Sequence, residues 1–191
     1  MSGEICVFRR SIFKNTSLND WYKKGEADDS SLGFYIISKG YRIAYVPEAF
    51  VWEPAPDNIK DFFQQKVRIV TQTIQSLNNR PLLIGLKYGL YSALIFPSRK
   101  VLPLFSPLFL ITIMISNIFI FNQHVVFRIF LFFQLLLYFL AIAGFIKYLN
   151  KIFFIRVANF FILLNVAVII GWVKFIVQKD FTVWDQIKSS R

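Results

Sequence analysis

Three carboxylates fall within five residues at the head of GEADDSSLGFYIISKGYRIAYVPEAF, namely Glu26, Asp28 and Asp29, in a chain with eleven acids against twenty-two Lys and Arg. Carboxylates at a helix start have two ordinary uses. They cap the exposed N–H groups of the first turn, or they take a proton as general bases. Further on, Gln65-x-x-Arg68 places an amide and a guanidinium one helical turn apart. A guanidinium can hold phosphate oxygens through two parallel hydrogen bonds, or it can simply face solvent or a lipid phosphate. Other chemistry is scarce. Cys6 is the single cysteine, which excludes an internal disulfide or a thiolate cluster. His124 is the single histidine, lies between two apolar runs, and reads as an interfacial loop residue.

The elements that must carry these residues are legible from pattern. GEICVFRRSIF (3–13) reads as a strand leading into a turn or short helix. From Asp29 or Ser30 the pattern turns helical, with Leu32, Tyr35, Ile36 and Ile37 on one apolar side and Gly40 placed to end it. YRIAYV (41–46) reads as a strand closed by a tight turn at Pro47, and FVWEP (50–54) as another. This order fits the edge of an α/β domain over residues 1–57.

Residues 58–80 form an amphipathic helix. Phe62, Phe63, Val67, Ile69, Val70 and Ile74 supply its apolar face, and Gln64, Gln65, Lys66 and Arg68 its polar one. The segment 82–96 is apolar, short and interrupted by Lys87, as in an interfacial or re-entrant helix. Residues 58–100 are therefore expected to lie in the membrane interface. Three long apolar runs follow within 101–177, at about 101–121, 125–146 and 155–177, before a polar tail at 178–191.

Composition agrees with a membrane protein: 55% of residues are hydrophobic, 23 are phenylalanine, and 17% are charged. Residues 1–61 hold nine acids and eight bases, a net charge of −1, whereas residues 62–191 hold fourteen bases and two acids, a net charge of +12. The surplus cations sit at the ends of apolar segments. That placement suits anchoring to anionic headgroups rather than nucleic-acid binding. Arg99 and Lys100 before the first run, and Lys147, Lys151 and Arg156 after the second, favour the cytoplasmic side. The expectation is a multi-pass protein of the cell membrane whose polar N-terminal part is cytoplasmic.

ADDSSLGFYIISKGYRIAYVPEAFVWEPAP, followed by FFQQKVRI and apolar runs, resembles membrane-bound family 2 glycosyltransferases of the cellulose-synthase-like and hyaluronan-synthase-like group. Asp28-Asp29 matches the family's acidic pair, Gly40 to Ala49 its glycine turn and "Y-x-P-x-A" strand, and Gln65-x-x-Arg68 its Q-x-x-R-W. GEICVFRRSIF is similar to the arginine-pair segment upstream. The resemblance implies the C-terminal portion of a GT-A-like α/β domain, then interfacial helices and an anchor of about three spans. It also implies Asp29 as the base that deprotonates an acceptor hydroxyl, Asp28 as its companion, and Gln65 and Arg68 as ligands of the departing nucleoside diphosphate. The donor would be a nucleotide-sugar and the acceptor a lipid or glycan. Mg2+ or Mn2+ is expected from the family, yet no D-x-D occurs upstream of the acidic pair. Ile69 stands where the family has tryptophan, which speaks against processive polymer synthesis. Trp184 is similar to a tryptophan after the last span of some of these enzymes, and an interfacial anchor explains it equally.

On this reading the donor-binding half lies outside residues 1–191, and the chain by itself does not transfer sugar; a partner subunit is one source of that half. A rival from another class is a non-catalytic membrane scaffold of a glycosylation complex, its acids serving only as caps. A small transporter fits less well, because Arg128, Arg156 and Lys174 all sit near the ends of their runs.

Overall fold

A computed structural model describes residues 6–14, 16–23, 26, 28–52, 58–79, 94 and 97–177. The chain divides into two compact units, Met1–Val101 with Gly171–Arg191, and Leu102–Ile170.

In the first unit, residues 6–9 lead into a 3-10 turn at Arg10–Phe13. One helical turn, α1 (Leu18–Trp21), follows. The carboxylate of Asp20 accepts the Ser17 N–H at 2.7 Å, which is half of a capping box and explains a helical turn where the composition is loop-like. Helix α2 (Asp28–Ser38) begins at the acidic pair. It ends because Gly40 takes φ +82, a conformation costly for any residue with a Cβ. The Tyr41 N–H then bonds Ile36 O at 3.2 Å and the Gly40 N–H bonds Ile37 O at 2.9 Å, the paired bonds of a Schellman motif.

Helix α3 (Ile59–Asn79) runs unbroken for 21 residues. Asn58 caps it: its Oδ1 accepts the Asp61 N–H at 2.8 Å and its Nδ2 donates to Asp61 Oδ2 at 2.9 Å. Val67, Thr71 and Ile74 are buried at i, i+4 and i+7. Removing Val67 and Ile74 from water contributes roughly 1.5–3 kcal/mol each. Backbone approaches this stripe closely, since a Cβ on Gly171 would lie 2.5 Å from Val70 Cγ1. Thr71 Oγ1 donates to Val67 O at 2.8 Å and lies 3.4 Å from Gly171 O. Part of the expected lipid-facing side of this helix is thus covered by the chain itself, while Ile69, assigned to the apolar face, is 42% exposed.

The α/β character expected for residues 1–57 needs correction. Among the described residues no strand forms, and this unit is helical. The segment 41–46 lies outside any helix or ladder and is exposed throughout. A strand exists only when a neighbour supplies complementary N–H and C=O groups, and none of the described residues does so for Tyr41–Val46. The turn at Pro47 does form, with the Ala49 N–H on Val46 O at 3.1 Å. The expected strand at 50–54 falls partly outside the described residues, as do Glu53, nearly all of 82–96 and the 178–191 tail with Trp184.

Among the described residues three helices are long and apolar enough to cross a membrane: Pro97–Ile120, Val125–Ala143 and Phe153–Val177. They agree with the runs read from sequence to within a few residues. The first enters through a π turn (Pro97–Val101) and a 3-10 turn (Leu102–Phe105) before α4 (Ser106–Ile120) becomes regular. Pro103 and Pro107 lack the N–H donors of a regular α-helix, which accounts for that entry. His124 is not merely a loop residue. It is the N-cap of α5 (Val125–Ala143), its Nδ1 accepting the Val126 N–H at 3.3 Å. Arg128, one turn later, donates from Nε to Phe121 O at 3.3 Å and lies over the Phe121 ring.

Within the second unit the helices are joined by amides. Asn117 Nδ2 donates to Gln134 Oε1 at 3.0 Å, and Gln134 Nε2 donates to Leu110 O at 3.2 Å and meets Tyr138 Oη at 2.9 Å. Asn159, on α6 (Phe153–Val177), donates to Ala141 O at 2.7 Å. Ser106 Oγ donates to Asn165 Oδ1 at 2.8 Å. All but the Gln134–Tyr138 bond cross between helices, where a polar group facing hydrocarbon would otherwise be unsatisfied. Phenylalanines such as Phe119, Phe133 and Phe139 are exposed on the outside of this unit, the arrangement a lipid environment favours.

Candidate functional site

The acidic stretch is built around Glu26 rather than around the pair alone. Glu26 is 2% exposed and accepts hydrogen bonds from Ser31 Oγ on α2 and, at 2.9 Å, from Asn79 Nδ2 at the end of α3. A carboxylate can be buried only with such partners, since its desolvation is otherwise prohibitive. This network pins the start of α2 to α3. The local half is a five-residue step from Glu26 to Ser31; the other half spans 53 residues. Sequence reading counted Glu26 in the acidic cluster and assigned it no role.

Asp28 is the first residue of α2 and Asp29 the second. Asp29 is half-buried, and its Oδ1 accepts the Ser30 N–H at 2.7 Å. A carboxylate here is favoured by the positive end of the helix dipole as well as by that bond. Beside it, Ser30 and Phe34 of α2 share a shallow crevice with Thr73, Ser76 and Leu77 of α3 and with Lys100.

Gln65 and Arg68 lie earlier on α3, and both are half-buried. At 1.5 Å rise per residue, Arg68 is about 7 Å along the axis from Thr73 and about 16 Å from Asn79. Eleven residues at about 100° each return to nearly the same bearing, so Arg68 and Asn79 share one face of α3. Gln65, Gln72 and Gln75 fall on that face too, within about 60° of Arg68. The predicted acid and the predicted guanidinium are therefore carried by one frame. The helix that carries the acid is held near the end of α3 by Glu26, and the guanidinium lies upstream on the polar face that leads there.

Among the described residues no three His, Cys, Asp or Glu side chains converge as a metal ion would require. Glu26, the buried acid, is committed to Ser31 and Asn79. This donor set does not fit a divalent cation.

Comparison with known proteins bears on what this frame is for. Residues 1–85, which take in α1, α2 and α3, match the family model described as Glycosyltransferase like family 2. Over 66 residues the chain is 33% identical to the Bacillus subtilis (strain 168) protein named "Probable glycosyltransferase YdaM". That similarity covers 35% of this chain and 15% of that protein, so the chain spans only a small part of its relative's length. No solved structure matches the chain. The N-terminal part is thus similar to family 2 glycosyltransferases, and among the described residues three helices able to span a membrane follow it.

Proposed function

We propose that this chain is the acceptor-side, membrane-anchored portion of a family 2-type glycosyltransferase. The enzyme moves a sugar from a nucleotide-sugar to a lipid or glycan acceptor, and its donor-binding half is supplied from outside these 191 residues. The subgroup it fits is the cellulose-synthase-like and hyaluronan-synthase-like one. The observation that carries the reading is a half-buried carboxylate, Asp29, at the start of a helix pinned to α3, inside the segment that matches the family.

In this mechanism Asp29 takes the proton of the acceptor hydroxyl as its oxygen forms a bond to the donor sugar's C1. The bond from C1 to the diphosphate oxygen breaks, and the nucleoside diphosphate leaves with that electron pair. Arg68 offsets the charge growing on the leaving group. Gln65, one turn away, orients the guanidinium or touches the sugar. Asp28 supports the base. Any Mg2+ or Mn2+ belongs with the donor half. The anchor keeps the site at the bilayer surface, with the polar N-terminal part on the cytoplasmic side.

Two measurements test this. Purified 1–191 incubated with nucleotide-sugars releases no nucleoside diphosphate; measurable turnover by the lone chain overturns the requirement for a donor half. In membranes of the source cells, Asp29→Asn abolishes transfer of labelled sugar to lipid or glycan while the chain still fractionates with the membrane. Undiminished transfer by that variant removes Asp29 as the base.

A second reading is supported by the bond from the Ser30 N–H to Asp29: the acids serve only to cap α2 in a non-catalytic scaffold. Under it Asp29→Asn is silent in cells, and Asp29→Ala costs about 1 kcal/mol of helix stability.

A further inference from the structure

At the end of α2 away from the acidic pair, a groove of about 680 Å³ opens between the 3-10 turn and the helix. Its lining is polar. Lys14 comes from just after the 3-10 turn and Lys39 from just after α2, with hydroxyl groups between them.

The floor is fixed. Tyr35 is 6% exposed, and its hydroxyl lies 3.0 Å from Thr16 Oγ1. Thr16 already donates to Ile12 O at 3.2 Å, so Tyr35 is the donor between the two. Ser38 is likewise held, donating to Tyr35 O at 2.7 Å. The acid on the rim, Asp20, accepts the Ser17 N–H through one of its two oxygens.

Lys39 could be explained as a cation neutralising the negative end of α2. Three of the last four carbonyls of α2 are already bonded: Tyr35 O by Ser38 Oγ and the Lys39 N–H, Ile36 O by Tyr41, and Ile37 O by Gly40. Its ammonium instead lies 5.4 Å from the centre of the Tyr35 ring, a groove-lining residue. Two lysines lining one groove with Ser11, Thr16, Tyr35 and Ser38 match an anion that itself bears hydroxyls. Two lysines against the single acid Asp20 favour an anion over a cation, and the polar wall disfavours an apolar ligand.

We infer that this groove binds a hydroxylated phosphate ester, with Lys14 and Lys39 holding the phosphate and the hydroxyl floor meeting the ligand's own hydroxyls. The groove lies about 10–16 Å along α2 from Asp28 and does not depend on Asp29 being a base. The same chemistry is presented by a soluble sugar or glycerol phosphate and by a lipid headgroup.

The experiment uses the full chain, purified in a neutral detergent. Glycerol 3-phosphate is titrated calorimetrically, and retention of phosphatidylglycerol against phosphatidylcholine is followed by native mass spectrometry. Comparison is with Lys14→Ala/Lys39→Ala, and with Lys14→Gln/Lys39→Gln should the first lose helical circular dichroism. Loss of two charge-assisted contacts weakens binding by tenfold or more. Glycerol 3-phosphate binding that falls in the variant supports the site with a soluble ligand. Selective phosphatidylglycerol retention that falls in the variant supports it with a lipid one. Binding of neither probe, or binding equal in wild type and a folded variant, overturns the inference.

Discussion

Gly144 offers a sharp test of how the second unit is packed. It ends α5 with φ −63, so alanine meets no backbone penalty there. Its neighbour is the obstacle: a Cβ on Gly144 would collide with Asn159 Cβ and lie 2.8 Å from Cγ and 2.9 Å from Nδ2. The first of these atoms is fixed by helix α6 and cannot swing aside. Relief therefore requires the helices to part, which lengthens the Asn159 bond to Ala141 O. Overpacking of this kind costs about 1–3 kcal/mol. The weakened interhelical amide adds about 0.6 kcal/mol, the mean measured for such bonds in a membrane bundle. Alanine's restriction of the unfolded chain returns about 0.4–1 kcal/mol. The net loss for Gly144→Ala is about 1–3 kcal/mol, read as reduced resistance of the chain to SDS-induced unfolding in bicelles. Asn159→Gly removes the colliding Cβ, so in that background Gly144→Ala costs at least about 1 kcal/mol less, a coupling typical of residues in contact. Strict additivity of the two changes would refute the contact, and so would an alanine variant as stable as the parent.

Three further outcomes follow from other contacts. Asn117→Leu and Gln134→Leu each lower stability by about 1 kcal/mol in the same unfolding assay, and the double variant loses less than the sum, because neither change then strands a buried amide. Glu26→Ala leaves Asn79 and Ser31 without their acceptor and costs about 1–3 kcal/mol, seen as faster amide exchange across the first turns of α2. Gly40→Ala is destabilising by about 1–2 kcal/mol even though nothing lies within 4 Å of the added methyl, because φ +82 is strained for any L side chain; thermal unfolding measures it.

What could be foreseen followed the range of the interactions. The three spans, the limits of α2 and the amphipathic α3 rest on hydropathy, capping and periodicity, all local, and their bounds came within a few residues. Gly40 was legible as a helix stop because only one residue type takes that φ cheaply. The strand expected at 41–46 depended on a partner no local pattern can supply. Alternating Tyr41, Ile43 and Tyr45 state a preference for pairing, and they remain exposed among the described residues. Ile69 was placed on the apolar side of α3 by composition, but the covered stripe runs through Val67, Thr71 and Ile74, toward Gly171 about a hundred residues later. The caps by Asp20 and His124 carried local signals that were readable and passed over: S-x-x-D before α1, and a polar residue immediately before an apolar run.

For the site, burial separates two acids that are alike in sequence, Glu26 and Asp29. Glu26 has the features of a frame: it is covered, doubly bonded, and tied to a residue 53 positions away. A general base cannot be so enclosed, since it must reach a substrate hydroxyl and change protonation as it works. Asp29 keeps partial exposure at the end of the helix that Glu26 fastens. Loss of Glu26 should therefore act through the placement of α2, and glutamine, which keeps an acceptor for Asn79 or Ser31, should recover part of what alanine loses. Loss of the Asp29 carboxylate should leave α2 in place in Asp29→Asn. If Glu26→Gln and Asp29→Asn had the same effect on amide exchange in α2, the division between frame and base would fail.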